Sequence, residues 1–137
     1  MLTTLLLAIQ LINPPTVHKP TGYTHAAKPV GCQVVFLSGQ VALDVEGKLV
    51  GSGFAAQAQQ VFHNIEEVVK ASGGTMKDIV KLNFFVVGLD ADRLTALRAA
   101  RNKAIPQENL PASTLVGVTS LARPEFLLEV EAVACVK

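Results

Sequence analysis

Residues 111–137 read PASTLVGVTSLARPEFLLEVEAVACVK, and the reading of this stretch decides the fold. Two apolar, β-branched runs, Ser113–Thr119 and Phe126–Val136, flank a short connector that holds Arg123-Pro124. Residue type and length make both runs strands. Side chains alternate along a strand. Leu128, Val130, Ala132, Ala134 and Val136 therefore share one wholly apolar face, and Leu127, Glu129, Glu131, Val133 and Cys135 share the other. Two carboxylates two residues apart, in a strand otherwise fit for a core, must face water, a second subunit or a site.

Upstream, Asp78–Val87 (DIVKLNFFVV) predicts another strong strand, with Val80, Leu82, Phe84 and Val86 on one face and Lys81, Asn83, Phe85 and Val87 on the other. Two helices accompany it. In Phe54–Ala71, apolar residues fall at Phe54, Ala58, Val61, Phe62, Ile65, Val68 and Val69, the spacing of one helical face. Gln59, Gln60, His63, Glu66, Glu67 and Lys70 take its wet side. Ser52 is the expected N-cap and Gly73-Gly74 the left-handed stop. Asp92–Ala104 is a shorter helix, closed by Pro106–Pro111.

The N-terminal third reads as strands. Leu7–Ile12 ends at Asn13-Pro14-Pro15, where neither proline can donate a ladder hydrogen bond. Met1–Leu6 extends that strand or forms a tail. Tyr23–Lys28 is a short strand, and Cys32–Ser38 a buried one with a bulge or kink at Gly39. Asp44–Gly47 carries hairpin-turn chemistry, and Lys48–Val50 completes the hairpin.

Strands mixed with only two helices argue for an α+β domain spanning residues 1–137, with a mixed sheet and both helices on one face. The other face is then expected to carry Ser113, Leu115, Glu129, Glu131, Lys81 and Asn83. Half polar and half apolar, it suits a subunit interface with pockets better than a water-facing surface. Composition agrees. Charged residues are only 17% of the chain, against ~25% in an average soluble protein, so self-association is expected to cover part of the surface.

A net charge of +1 leaves no electrostatic footprint for nucleic acid or membrane headgroups. The apolar N-terminal run falls far below the ~20 residues of a spanning helix and has no signal-peptide pattern. Cys32 and Cys135 make no C-x-x-C pair, which fits free thiols in a reducing cytoplasm. His18, His25 and His63 lack metal-ligand spacing. Gly51-x-Gly53 lacks the further glycine and the βαβ setting of a dinucleotide site. Neither a metal nor a cofactor is expected.

Three stretches carry a family resemblance: VVFLSGQVAL (34–43), AAQAQQVFHNIEEVVKASGGTMKDIVKLNFFV (55–86) and PASTLVGVTSLARPEFLLEVEAVA (111–134). In order and over roughly residues 10–136, the chain resembles the reactive-intermediate deaminases, the RidA or YjgF family. That resemblance implies a chorismate-mutase-like α+β fold. It also implies a homotrimer whose sheets line a central barrel, with small-molecule clefts between neighbouring subunits. It implies cofactor-independent hydrolysis of imines or enamines. By the same resemblance Tyr23 lies at the cleft mouth, Ser38-Gly39-Gln40 faces the ligand, and Glu129 positions the attacking water. Glu131 reads as a structural partner on the same face.

One position departs from the pattern. Members that hydrolyse imines of amino acids carry arginine in a Pro-x-Arg run, where this chain has Pro111-Ala112-Ser113-Thr114. Ser113 and Thr114 become substrate-contacting candidates by that alignment. An arginine fork holds a carboxylate through two charge-assisted hydrogen bonds, whereas Ser113 offers one neutral hydroxyl. The difference should weaken an α-imino acid by at least ~10²-fold unless another cation reaches in. Arg98 and Arg123 are the candidate replacements.

Overall fold

A computed structural model describes residues 9–137, the side chain of Asn109 excepted. Its elements run β1 (Ile9–Ile12), β2 (Ala26–Pro29), β3 (Gln33–Gln40), α1 (Phe54–Ala71), β4 (Ile79–Val87), α2 (Ala91–Ala104), β5 (Ala112–Val118) and β6 (Leu128–Val136). The expected strand extension over Met1–Leu6 lies outside the described residues. The main sheet has the order β3-β6-β4-β5, with β4 and β5 parallel and the other pairs antiparallel. β1 and β2 form a separate two-stranded ribbon. The fold is thus an α+β domain with a mixed sheet and two helices.

β6 occupies the sheet interior because its alternation supplies what that position needs. Leu128, Val130, Ala132, Ala134 and Val136 are all buried, as are Val80, Leu82, Phe84 and Val86 of β4. The stripe Phe54, Ala58, Val61, Phe62, Ile65 and Val69 of α1 shares one core cluster with all of them but Val80, whose place Ile79 takes at a register shift between Ile79 and Lys81. Each large side chain so buried stabilises the fold by about 1.5–3 kcal/mol before entropy is subtracted. Val68, expected in that stripe, is exposed. Gln57 is buried instead, at 2% exposure. Its Nε2 donates to the Glu125 carbonyl at 2.9 Å and its Oε1 accepts from the Leu127 amide at 2.9 Å. This clamp fixes the connector into β6. Asn64 does the same for the hairpin, donating to the carbonyls of Val41 and Leu43.

Several boundaries differ from expectation. The N-cap of α1 is Gly53 without a side-chain hydrogen bond, not Ser52. Asp90 caps α2, its side chain accepting from the Arg93 amide at 2.8 Å. Of the expected Tyr23–Lys28 strand only residues 26–28 join a strand pair, with Pro29, expected in the turn, completing β2. The return of the 44–47 hairpin contributes one bridge, Leu43 to Leu49. The strand expected to be buried, β3, lies at the sheet edge with only Leu37 buried and Phe36 80% exposed. An apolar run does not by itself distinguish a core strand from an edge strand.

The thiols are not free. Cys32 and Cys135 form a disulfide. The β3–β6 register sets Val34 opposite Cys135, so Cys32 lies diagonally across the same face with its Cα 5.5 Å from that of Cys135, within disulfide reach.

The expected face assignment of β5 is also reversed. Ser113 pairs with Leu82 and Leu115 with Phe84, and both partners are buried. Ser113 and Leu115 therefore face the helices. Thr114 and Val116, opposite Asn83 and Phe85, share the outer face with Glu131 and Glu129. Alternation fixes which residues of one strand share a face, but only register relates one strand to the next.

Candidate functional site

All the expected site residues but Thr114 fall into two groups, on opposite faces and toward opposite edges of the sheet. The first group forms at a bulge. A register shift between Leu37 and Gln40 takes Ser38-Gly39 out of the β3–β6 ladder, and Gln40 Nε2 donates to the Ser38 carbonyl at 3.0 Å. On the adjoining strand Glu129, half-buried on the outer face, lays its carboxylate against Gly39. A Cβ at position 39 would overlap that carboxylate, so the approach requires glycine. Glu131, two residues on, accepts from Asn83 Nδ2 at 2.7 Å and is tied into the sheet.

The second group surrounds a cavity of about 210 Å³ between β5 and α2. Phe84, Leu97 and Leu115 give it an apolar floor. Ser113, Tyr23, Arg98 and Arg101 supply its polar groups. Tyr23 is held there by its neighbour Thr24, whose amide donates to the Pro111 carbonyl at 3.0 Å beside the start of β5. Asn13 closes the clamp: its Nδ2 donates to Thr24 Oγ1 and its Oδ1 accepts from the His25 amide, both at 2.8 Å. The Tyr23 hydroxyl bonds a ring nitrogen of His18 at 2.6 Å.

Arg101 is half-buried. Burial first, and the charge of Arg98 second, lower its guanidinium pKa from the ordinary value. Nε and Nη2 donate to Asn102 Oδ1 at 3.2 and 2.9 Å. The guanidinium rests on Gly22, whose φ of +78° and lack of a Cβ leave it room.

Thr114 belongs to neither group. It lies on the outer face of β5 and accepts from Lys81 Nζ at 2.8 Å. Of the two cations expected as replacements, Arg98 lines the cavity, whereas Arg123 sits over the Phe126 ring at 5.4 Å. Sequence reasoning missed Arg101 and Asn13. The three-residue spacing from Arg98 to Arg101, which puts both on one helical face, was the available signal for Arg101. Nothing in the sequence marked Asn13. Among the described residues no cluster of three or more His, Cys, Asp or Glu could hold a metal, and no helix is long and apolar enough to cross a membrane.

Ser38 and Gly39 lie on edge strand β3 and Ser113 on edge strand β5, three strand spacings or ~14 Å apart. Glu129, on β6, is two spacings or ~10 Å from β5 and on the other face of the sheet from Ser113. One chain cannot close these groups around one small molecule.

Comparison with known proteins gives concordant matches. A family model described as Endoribonuclease L-PSP matches residues 16–136. A protein of Dermatophagoides farinae named 2-iminobutanoate/2-iminopropanoate deaminase is 32% identical over 129 residues, 93% of this chain and 97% of that protein. A Yersinia pestis structure, described as a protein of unknown function of the conserved Rid family, superposes with a TM-score of 0.84 at 36% identity. It covers 95% of this chain and 100% of its own. RidA from an Antarctic Psychrobacter superposes with a TM-score of 0.69 at 32% identity, covering 93% of this chain and 99% of its own.

Proposed function

The chain belongs to the RidA/YjgF (endoribonuclease L-PSP) family, and from that premise we propose that it hydrolyses reactive imines or enamines to a carbonyl compound and ammonia, in a cleft between copies of a homotrimer. Water adds to the electrophilic imine carbon to give a carbinolamine, which expels ammonia as the C=O bond forms. Glu129 orients the water and accepts its proton. Backbone donors at the Gly39 bulge hold the polarised end of the substrate, and the apolar floor beneath Ser113 takes its side chain.

The observation that carries this reading is the Glu129 carboxylate lying against Gly39 on the outer sheet face. An ionisable group beside a strand bulge, on a face lined by exposed Val34, Phe36 and Val116, is what a covered cleft needs. The open edges of β3 and β5 and the separation of the two residue groups support the shared cleft. With Ser113 where an arginine fork would stand, we propose a substrate preference different from that of relatives that act on simple α-imino acids. The family description names an endoribonuclease. For this chain a net charge of +1 and the apolar cavity floor favour a small molecule over a polyanion.

Ammonia release from freshly generated imines tests the reading. Acceleration by the wild-type protein that Glu129→Ala lowers by at least ~10²-fold is the expected result. No acceleration with any imine, or full activity in Glu129→Ala, contradicts it. Thermal stabilisation by a metabolite that is left chemically unchanged would instead mark a non-catalytic binding or protein-protecting trimer.

A further inference from the structure

Edge strand β3 carries four apolar residues in succession, Val34, Val35, Phe36 and Leu37, so its pattern marks neither face as the inner one. Leu37 alone among its eight residues is buried. Register is strongly specified only where a one-residue slip would turn polar side chains toward the core. Here it would not. The strand also holds a spare residue. At the Ser38-Gly39 bulge, three steps of β3 from Leu37 to Gln40 oppose two steps of β6 from Ala132 to Val130. Were the bulge to close with Gln40 kept opposite Val130, Ser38 would come opposite Ala132, Phe36 opposite Ala134 and Val34 opposite Val136, all three partners buried. Apolar Phe36 and Val34 would then replace Leu37 and Val35 on the inner face.

The disulfide excludes that register. Cys32 lies two residues before Val34, the partner of Cys135, so both sulfurs stand on the outer face. In the shifted register Cys32 turns inward, and the bond cannot form through the sheet. We propose that Cys32–Cys135 is a redox latch that keeps the bulge at Ser38-Gly39 open. The functional weight of this inference rests on the reading above, in which backbone donors at the bulge hold the substrate; closing the bulge returns those amides to the ladder. The latch opens by thiol–disulfide exchange. A thiolate of a dithiol reductant attacks Sγ of Cys32, which is partly exposed, and the wholly buried Cys135 leaves as a thiolate and takes up a proton. The reductant's second thiol then displaces Cys32, so two electrons and two protons pass from the dithiol to the protein. With the latch open the two registers interconvert, and activity falls with the fraction that has shifted.

Cross-linking reads the register directly. In a Cys32→Ser background, Val34→Cys lies opposite Cys135 in the observed register, whereas Val35→Cys lies opposite it only in the shifted one. Both double variants, as full chains in their own oligomeric state and checked for folding by circular dichroism, are oxidised with glutathione disulfide and mapped by peptide mass. Both should cross-link to Cys135 at rates within ~3-fold of each other, as two registers of similar population require. Adding Val34→Thr to the Val35→Cys chain puts a hydroxyl where the shift would bury it, and should slow that cross-link ~10-fold. Cross-linking of Val34→Cys alone would overturn the proposal, because the register would then hold without the disulfide. Ammonia release by the wild-type protein should fall ~2-fold or more in dithiothreitol and return on reoxidation, with Cys32→Ser low throughout. A reduced wild type as active as the oxidised one would overturn the proposal too. Absence of ammonia release in both states would contradict imine hydrolysis, and the cross-linking pattern would still decide the latch.

Discussion

Replacing Gly39 by alanine isolates the geometry of the Glu129 carboxylate. Gly39 is not among the glycines with positive φ, so alanine meets no backbone strain there. The three atoms nearest to its Cβ all belong to Glu129, with Cδ at 2.7 Å and Cγ at 2.9 Å and Oε1 nearer still. Relief to ordinary contact, ~3.5 Å or more between heavy atoms, moves the carboxylate by on the order of 1 Å or turns it to another rotamer. A misplacement of that size costs ~10²-fold in rate when the group orients a reactant. Stability should hardly fall, because a Gly→Ala change at a permissive φ restricts the unfolded chain and contributes about 0.4–1 kcal/mol. The assay is a double-mutant cycle on steady-state ammonia release and on thermal unfolding. Gly39→Ala should lower kcat/KM ~10²-fold in the wild-type background and have little further effect on the residual rate of Glu129→Ala, where nothing remains to displace. There its Tm should rise. Equal losses in the two backgrounds would mean that Gly39 acts through something other than the carboxylate, and a fully active Gly39→Ala would remove Glu129 from the chemistry as described.

The other expectations concern the frame around the site. Gln57→Leu leaves the Glu125 carbonyl and the Leu127 amide without their partner, so urea unfolding should show a loss of roughly 2–5 kcal/mol at ~1–3 kcal/mol per unpaired group. Reduction of Cys32–Cys135, which closes a separation of 103 residues, should lower stability by about 2–5 kcal/mol, seen as a drop in Tm with dithiothreitol that Cys32→Ala abolishes. Arg101→Gln should hold or raise Tm at neutral pH. The folded state lowers the guanidinium pKa by burial and by Arg98, so below that pKa the charge opposes folding, and its removal relieves the opposition.

What the sequence disclosed followed from periodicity within one element. The alternation of β6 and the stripe of α1 each fixed a buried face, and Gly39 between two apolar runs marked the bulge. Relations between elements were less legible. Ser113 was placed beside Glu129 because alternation along β5 cannot be phased against β6 without the β4 register that joins them. Cys32 and Cys135, 103 residues apart, carry no local signal for their pairing. It depends on the β3–β6 register alone. Arg101 stands out among the cations of α2 only because its guanidinium rests on Gly22, and Asn13 looked like a strand end until its side chain was seen to clamp Thr24. The residues that position a site through loops from distant sequence are those for which a single chain gives no pattern.

The account turns on a cleft built from two copies, with Ser38, Gly39 and Glu129 from one and Tyr23, Ser113 and Arg101 from the next. Co-assembly of two inactive variants tests this most directly. Glu129→Gln disables the first half, and Ser113→Phe, which fills the cavity, disables the second. If every site draws its halves from adjacent subunits of a closed ring, a 1:1 mixture unfolded and refolded together contains intact clefts at about one in four. It should recover about a quarter of wild-type ammonia release, although each parent alone has none. A mixture whose chains have exchanged and which stays as inactive as its parents would show that both halves act within one chain, and the account would be wrong.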